Sequence, residues 1–262
     1  MIAAPDSATP YAALNAVLEQ FVSGVRQLLA GNFVGAYLQG SFAVGDFDEH
    51  SDVDFLVAVR RNIDAAELTA LNALHDAIHA FPKPWGHRLE GSYFPLPILR
   101  RATADRLLYL DHGSRRLVRS EHDNTHVVRW VTRERGIVLA GPDPRALIDE
   151  VSADDLREEM HQTMRDWSAT FLPDPRVIRQ LWHQGLIVIS YCRMLHALEK
   201  GAVMSKKAAA EWARQNLEAR WRPLIEESLR ARPSQSLGPA DPQAVAETIA
   251  FVEHVMRRDT MP

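Results

Sequence analysis

The stretch GSFAVGDFDEHSDVDFLVAV, Gly40 to Val59, decides how this chain is read. A Gly-Ser pair is followed by ten residues and an Asp-x-Asp pair, with a predicted strand before it, Phe33 to Gln39, and a second one through its end, Val53 to Val59. Residues i and i+2 of a strand share a face, so Asp52 and Asp54 project together while Val53 and Phe55 turn into the core. Two carboxylates held side by side repel, and a divalent cation between them removes the cost of ionising both. Hard oxygen ligands suit Mg²⁺, which is usually held by one or two carboxylates together with substrate phosphates, so the pair predicts a nucleotide site. Gly40 permits a tight turn and a close approach of the backbone to a phosphate, and the Ser41 hydroxyl adds a donor.

On the N-terminal side, Leu14, Val17, Leu18, Phe21, Val22, Val25, Leu28 and Leu29 recur at helical spacing, and Gly31 is the expected stop. On the C-terminal side, Asp64 and Glu67 form a capping box for a helix that buries Leu68, Leu71, Leu74 and Ile78. A third strand is expected over His87 to Phe94, then irregular Pro-containing chain, a helix over His126 to Glu134 and an edge strand over Ile137 to Leu139. The GPDP stretch, Gly141 to Pro144, marks the boundary, because beyond about residue 150 helix signals replace strand signals. Ser152 caps a helix with Leu156, Met160, Met164 and Trp167. Asp174 and Pro175 open a long one that Gly201 stops, Ser205 caps the next, and Asp241 and Pro242 open the last, with Val245, Ile249, Val252 and Met256 inward. The pattern predicts a small mixed-sheet α/β (α+β) domain over residues 1–150 and an all-α helical bundle over residues 151–262.

With 262 residues, 46% of them hydrophobic, the chain can bury a sizeable core. Thirty basic against thirty-four acidic residues give a net charge of −4, which argues against unspecific attraction to nucleic acid or an anionic membrane. One cysteine, Cys192, makes no internal disulfide, and the opening MIAAPDSATP lacks the charged and apolar regions of a signal peptide, so a soluble cytoplasmic protein is expected. His75 and His79 stand at i, i+4 on an amphipathic helix without the Glu of an H-E-x-x-H motif, and are read as structural or surface residues.

The Gly-Ser, spacer and Asp-x-Asp pattern resembles the nucleotidyltransferase superfamily related to DNA polymerase beta. More narrowly, the chain is similar to the streptomycin/spectinomycin adenylyltransferases over YLQGSFAVGDFDEHSDVDFLVAV (Tyr37 to Val59), RERGIVLAGP (Arg133 to Pro142) and SKKAAAEWA (Ser205 to Ala213). The resemblance implies Mg²⁺-dependent transfer of AMP from ATP to a hydroxyl of a small acceptor, with pyrophosphate released and two Mg²⁺ ions on Asp52 and Asp54. It implies nucleotide contacts from Gly40 and Ser41, and a third carboxylate. Glu90 is the candidate, since its strand places Arg88, Glu90 and Ser92 on one face. In the antibiotic enzymes the matching glutamate is the base for the attacking hydroxyl, and in the wider superfamily a third acid is a metal ligand; Glu90 is assigned the base role here. Aligned on Trp212, Arg193 and Lys206 match the arginine and lysine that contact the triphosphate, with Lys207 the competing neighbour.

The resemblance leaves the acceptor open. Where the antibiotic enzymes carry acids, this chain has His183 or Gln184 and Asn124, which counts against streptomycin itself, while Asp111, Glu121, Asp123 and Asp166 are compensating candidates. Another hydroxyl-bearing metabolite and a protein side chain are the other acceptor classes. A non-catalytic nucleotidyltransferase-type antitoxin is the rival from a different class, disfavoured by the intact Asp52, Asp54 and Glu90 and by the long helical half. Template-independent RNA synthesis would need a basic track that the sequence lacks.

Overall fold

The helical spacing from Leu14 to Leu29 folds as α1 (Ala12–Leu29), with Leu14, Val17, Leu18, Phe21, Val25 and Leu29 buried. The helix ends at Leu29, the last residue of the expected stripe, but the positive φ at its end falls on Ala30 (φ 43°, ψ −116°) rather than on Gly31. The structure is a computed structural model and describes residues 7–81, 84–174, 178, 181–230 and 241–259. The chain divides into two units, Met1–Val151 and Ser152–Pro262.

In the first unit, β1 (Phe33–Leu38), α2 (Gly40–Val44), β2 (Val53–Val59), α3 (Ala65–His79) and β3 (Leu89–Pro95) follow in order. The pairing β2–β3 is parallel and needs a crossover, which α3 supplies. Its capping box is formed: Asp64 Oδ1 accepts from the amides of Ala66 and Glu67, and Glu67 Oε2 accepts from the amide of Asp64, each at 3.0 Å. Leu71 and Ile78 are buried beneath it and Leu68 and Leu74 partly so. Val53, Phe55, Val57 and Val59 join the core under α1 and α3, whereas Leu56 and Ala58 are buried on the opposite face with Tyr37, Phe94 and Leu99. Covered on both faces, β2 is one of the two central strands of the sheet.

After β3 the chain is more regular than its prolines suggested. It forms α4 (Leu96–Arg100) and a hairpin of β4 (Leu107–Leu110) and β5 (Val118–Ser120). All four residues of β4 are buried, so its run Leu-Leu-Tyr-Leu shows no alternation to read. Then come α5 (His126–Arg135) and β6 (Ile137–Ala140), giving a six-stranded sheet in the order β5-β4-β3-β2-β1-β6. The two edge strands are short, and each shows a valine to solvent, Val118 at 50% and Val138 at 46% exposure. Tyr37 donates to the Pro142 carbonyl at 2.8 Å, tying β1 to the chain after β6. The buried Arg129 guanidinium donates to the carbonyls of Ile98, Leu99, Arg101 and Thr125 and to Asn124 Oδ1, joining α4 to the start of α5.

The second unit contains α6 (Ala153–Phe171), α7 (Leu181–Lys200), α8 (Lys206–Asn216), α9 (Arg222–Arg230) and α10 (Pro242–Asp259). Ser152 and Asp155 complete a capping box for α6, which buries Leu156, Met160, Met164 and Ser168, while Trp167 is half-buried against Phe171 and Tyr191. Among the described residues α7 packs against α6, α8, α9 and α10. It buries side chains around much of its circumference, from Gln184 to Ala197 and including Cys192, as a central helix should. Gly201, at φ +63°, ends it. The expected start at Asp174 and Pro175 is not reached by the described helix, and Pro175 lies outside the described residues. The α10 stripe is Thr248, Phe251, Val252 and Val255, with Val245, Ile249 and Met256 only half-buried, a rotation from the expected face.

Of the two readings left open for His75, structural or surface, the structure gives the first: it is a core residue. It is 2% exposed, stacks on Phe55 and bonds the Tyr93 hydroxyl through Nε2 at 2.9 Å. Burial pushes its pKa down to about 4, below the ordinary histidine value. The unfolded chain then binds one more proton between about pH 6.5 and 4, so stability is complete above that window and falls by up to about 3 kcal/mol as pH drops through it. Denaturant melts of His75→Gln across this range should show a flatter acid limb than the wild type.

Candidate active site

The parallel register sets Asp54 opposite Glu90 and Leu56 opposite Ser92, and the antiparallel register sets Ser92 opposite Tyr109, so Asp54, Glu90, Ser92 and Tyr109 share one sheet face. Asp52 stands just before β2, where the Val53 amide donates to the Arg88 carbonyl at 2.8 Å. The face that is closed by Leu56 and Ala58 further along is therefore lined with carboxylates at the start of the strands.

Gly40 and Ser41 open α2, which Gly45 ends at φ +73°. Gly40 itself lies at φ +57°, and a Cβ there would collide with Asp54 Oδ2. The glycine is thus required twice, by its backbone angle and by the carboxylate resting on it. The Ser41 hydroxyl is buried without a hydrogen-bond partner, a donor left for a group from outside the chain.

Glu90 is largely enclosed, its side chain 16% exposed against 47% for Asp52. The Tyr109 hydroxyl donates to Glu90 Oε1 at 2.5 Å, and His122 Nε2 stands 3.6 Å from the same oxygen, its ring 4.9 Å from that of Tyr109. Burial raises the Glu90 pKa above the ordinary carboxylate value, and the Tyr109 bond opposes this. Asp123 is turned inward: Ser92 Oγ donates to its Oδ2 at 2.8 Å, and burial raises its pKa. Asp52 pairs with His112, Nδ1 to Oδ1 at 2.6 Å, and this bond raises the histidine pKa.

Ligand atoms of Asp52, Glu90 and His112 all lie within 4.8 Å of one another, a spacing that suits a divalent cation. Of the residues singled out in the first unit, Gly40 and Asp54 are in contact and Asp52 and Glu90 converge. Arg193 and Lys206 belong to the second unit. Arg193 is half-buried on α7, and its Nε donates at 3.2 Å to the carbonyl of Met204 in the turn leading to Lys206, the exposed first residue of α8.

Sequence reasoning missed Tyr109, His112 and His122, all on or beside the β4–β5 hairpin. The signal available was Asp111-His112-Gly113 directly after an apolar run, a turn signature at the end of a buried strand.

Because both requirements meet at Gly40, Gly40→Ala should destabilise the chain by about 2–4 kcal/mol, the left-handed penalty plus displacement of Asp54. At Gly45, where a Cβ would meet nothing within 4 Å, the same change should cost about 1 kcal/mol. Thermal unfolding of the two variants compares them; equal losses would remove the Asp54 contact from the account.

Two family descriptions match the chain: a nucleotidyltransferase domain over residues 18–81 and the aminoglycoside adenylyltransferase C-terminal domain over residues 146–258. An aminoglycoside (3'') (9) adenylyltransferase of Klebsiella pneumoniae is 24% identical over 238 residues, covering 82% of this chain and 83% of the relative. A spectinomycin 9-adenylyltransferase of Staphylococcus aureus is 24% identical over 200 residues, 72% of this chain and 74% of that one. In fold the chain matches spectinomycin adenyltransferase AAD(9) from Enterococcus faecialis, solved with ATP and spectinomycin, with a TM-score of 0.70 at 15% identity over 92% of this chain and 98% of the other. The matches place a nucleotidyltransferase domain within the first unit and make the chain similar to the aminoglycoside and spectinomycin adenylyltransferases, which supports reading it as an adenylyltransferase.

Proposed function

We propose that this chain transfers AMP from ATP to a hydroxyl of a small acceptor and releases pyrophosphate, with aminoglycoside-type molecules as the acceptor class. The observation that carries the reading is Glu90, a largely enclosed carboxylate with a raised pKa, set in register beside Asp54 and within ligand distance of Asp52. The names of the relatives agree with it.

Asp52 and Asp54 are the proposed ligands of Mg²⁺, which when bound offsets phosphate charge and stabilises the attacking and leaving oxygens of an in-line displacement. Gly40 lets α2 start close against Asp54, and the Ser41 hydroxyl is the proposed donor to a phosphate oxygen. Tyr109 and His122 both face Glu90 Oε1, so Oε2 is the oxygen proposed to take the acceptor's proton. The raised pKa strengthens that proton's attraction at neutral pH. Arg193 and Lys206 are the proposed triphosphate contacts, with positive charge that offsets the leaving pyrophosphate.

Acceptor recognition should differ from that of streptomycin enzymes. The Asn124 amide donates to the carbonyls of Thr103 and Asp105, and Gln184 is buried. With Asp123 bonded to Ser92, the carboxylates proposed to meet a cationic acceptor are Asp111, Glu121 and Asp166.

Labelled ATP and Mg²⁺ against a panel of aminoglycosides tests the reading directly; absence of any labelled product across the panel would remove the acceptor class. Glu90→Gln should keep Mg-ATP affinity and lose transfer by about 10²–10⁴-fold, whereas Asp52→Asn should lose both. If calorimetry shows the two variants equally weak for Mg-ATP, Glu90 is a metal ligand and the base lies elsewhere. Lys206→Ala should slow turnover by about a hundredfold and Lys207→Ala far less. The reverse order would move the phosphate contact to Lys207.

A further inference from the structure

The turn after β4 places an imidazole where an all-oxygen Mg²⁺ site has no need of one. Asp111 Oδ1 accepts from the His112 amide at 3.0 Å, Gly113 takes φ +71°, and between them the His112 ring is directed at Asp52. Its Nδ1 stands 2.6 Å from Asp52 Oδ1, and a Glu90 oxygen lies within 4.8 Å of both.

Donors about 2.1 Å from a six-coordinate ion are about 3 Å apart when adjacent and about 4 Å apart when opposite. The Asp52 and His112 atoms therefore approach the spacing of neighbouring donors on one ion, and Glu90 is near enough to hold a water of that ion. Mg²⁺ prefers oxygen throughout, whereas imidazole suits first-row transition ions.

We propose that a divalent transition ion, Mn²⁺ or Co²⁺, displaces to solvent the proton shared by His112 Nδ1 and Asp52 Oδ1 and binds both atoms, so that the cation position on Asp52 selects such an ion over Mg²⁺. This rests on the reading of Asp52 as a cation ligand. It adds a protein donor and a change of preferred ion, both carried by the β4–β5 turn.

The full chain without nucleotide is titrated with Mn²⁺, followed by electron paramagnetic resonance, and with Co²⁺, followed by its visible absorption. Loss of outer-shell partners already costs metal sites about 10–100-fold in affinity, so loss of a direct donor in His112→Ala should weaken Mn²⁺ by at least about tenfold. The Co²⁺ spectrum should change with it, while Mg²⁺, measured by calorimetry, shifts less than about twofold because it does not use the nitrogen. His112 is half-exposed on a turn, and an unchanged melting temperature shows that the variant folds. Mn²⁺ binding that is unchanged or tighter in His112→Ala overturns the proposal, since the histidine is then only a partner that the ion displaces from Asp52. Asp52→Asn separates the two failures: if it leaves Mn²⁺ binding intact, the reading of Asp52 itself falls, whereas if it abolishes binding and His112→Ala does not, only the role of His112 is lost.

Discussion

The register between β2 and β3 is the constraint on which the candidate site depends. Asp54 faces Glu90 only because the two strands run parallel and in that alignment, and a slip of one residue would send one acid to the opposite face of the sheet. The alignment is held by burial rather than by the acids. Val53, Phe55 and Val57 are covered by α1 and α3, and Leu56 and Ala58 from the other side, so any shift exposes apolar surface. The crossover helix depends in turn on its capping box at Asp64 and Glu67. Hydrophobic matching far from the carboxylates thus fixes the chemistry at the strand ends.

The three acids gathered at the site sit in different surroundings. Asp52 is about half exposed, Asp54 rests on the backbone of Gly40, and Glu90 is enclosed under Tyr109 and His122. Burial raises the pKa of the enclosed Glu90.

Much of the fold was readable in the sequence where local chemistry repeats. The strand Val53–Val59, the capped helix after Asp64, the edge strand at Ile137 and the caps at Ser152 and Ser205 each have a periodicity or a turn residue that acts within a few positions. The β4–β5 hairpin did not, because a four-residue strand buried throughout has no alternating pattern and its partner β5 is three residues long. Tyr109, His112 and His122 were hidden with it. Their approach to Glu90 and Asp52 depends on long-range strand pairing, which no window of sequence contains. The inward turn of Asp123 was missed likewise, since an Asp-Asn pair looks like solvent-facing turn chemistry until Ser92 is placed beneath it. At α1 the positive φ fell on Ala30 rather than Gly31, one position of local competition that residue type alone does not decide.

The sheet's two margins have a consequence for how the protein behaves when crowded. β5 is three residues long and β6 four, so a neighbouring chain finds only a few backbone groups in line to pair with at either end. Continuous stacking of one sheet on the next needs a longer, flatter row than that. The exposed valines on these strands are isolated apolar points rather than templates for a further strand.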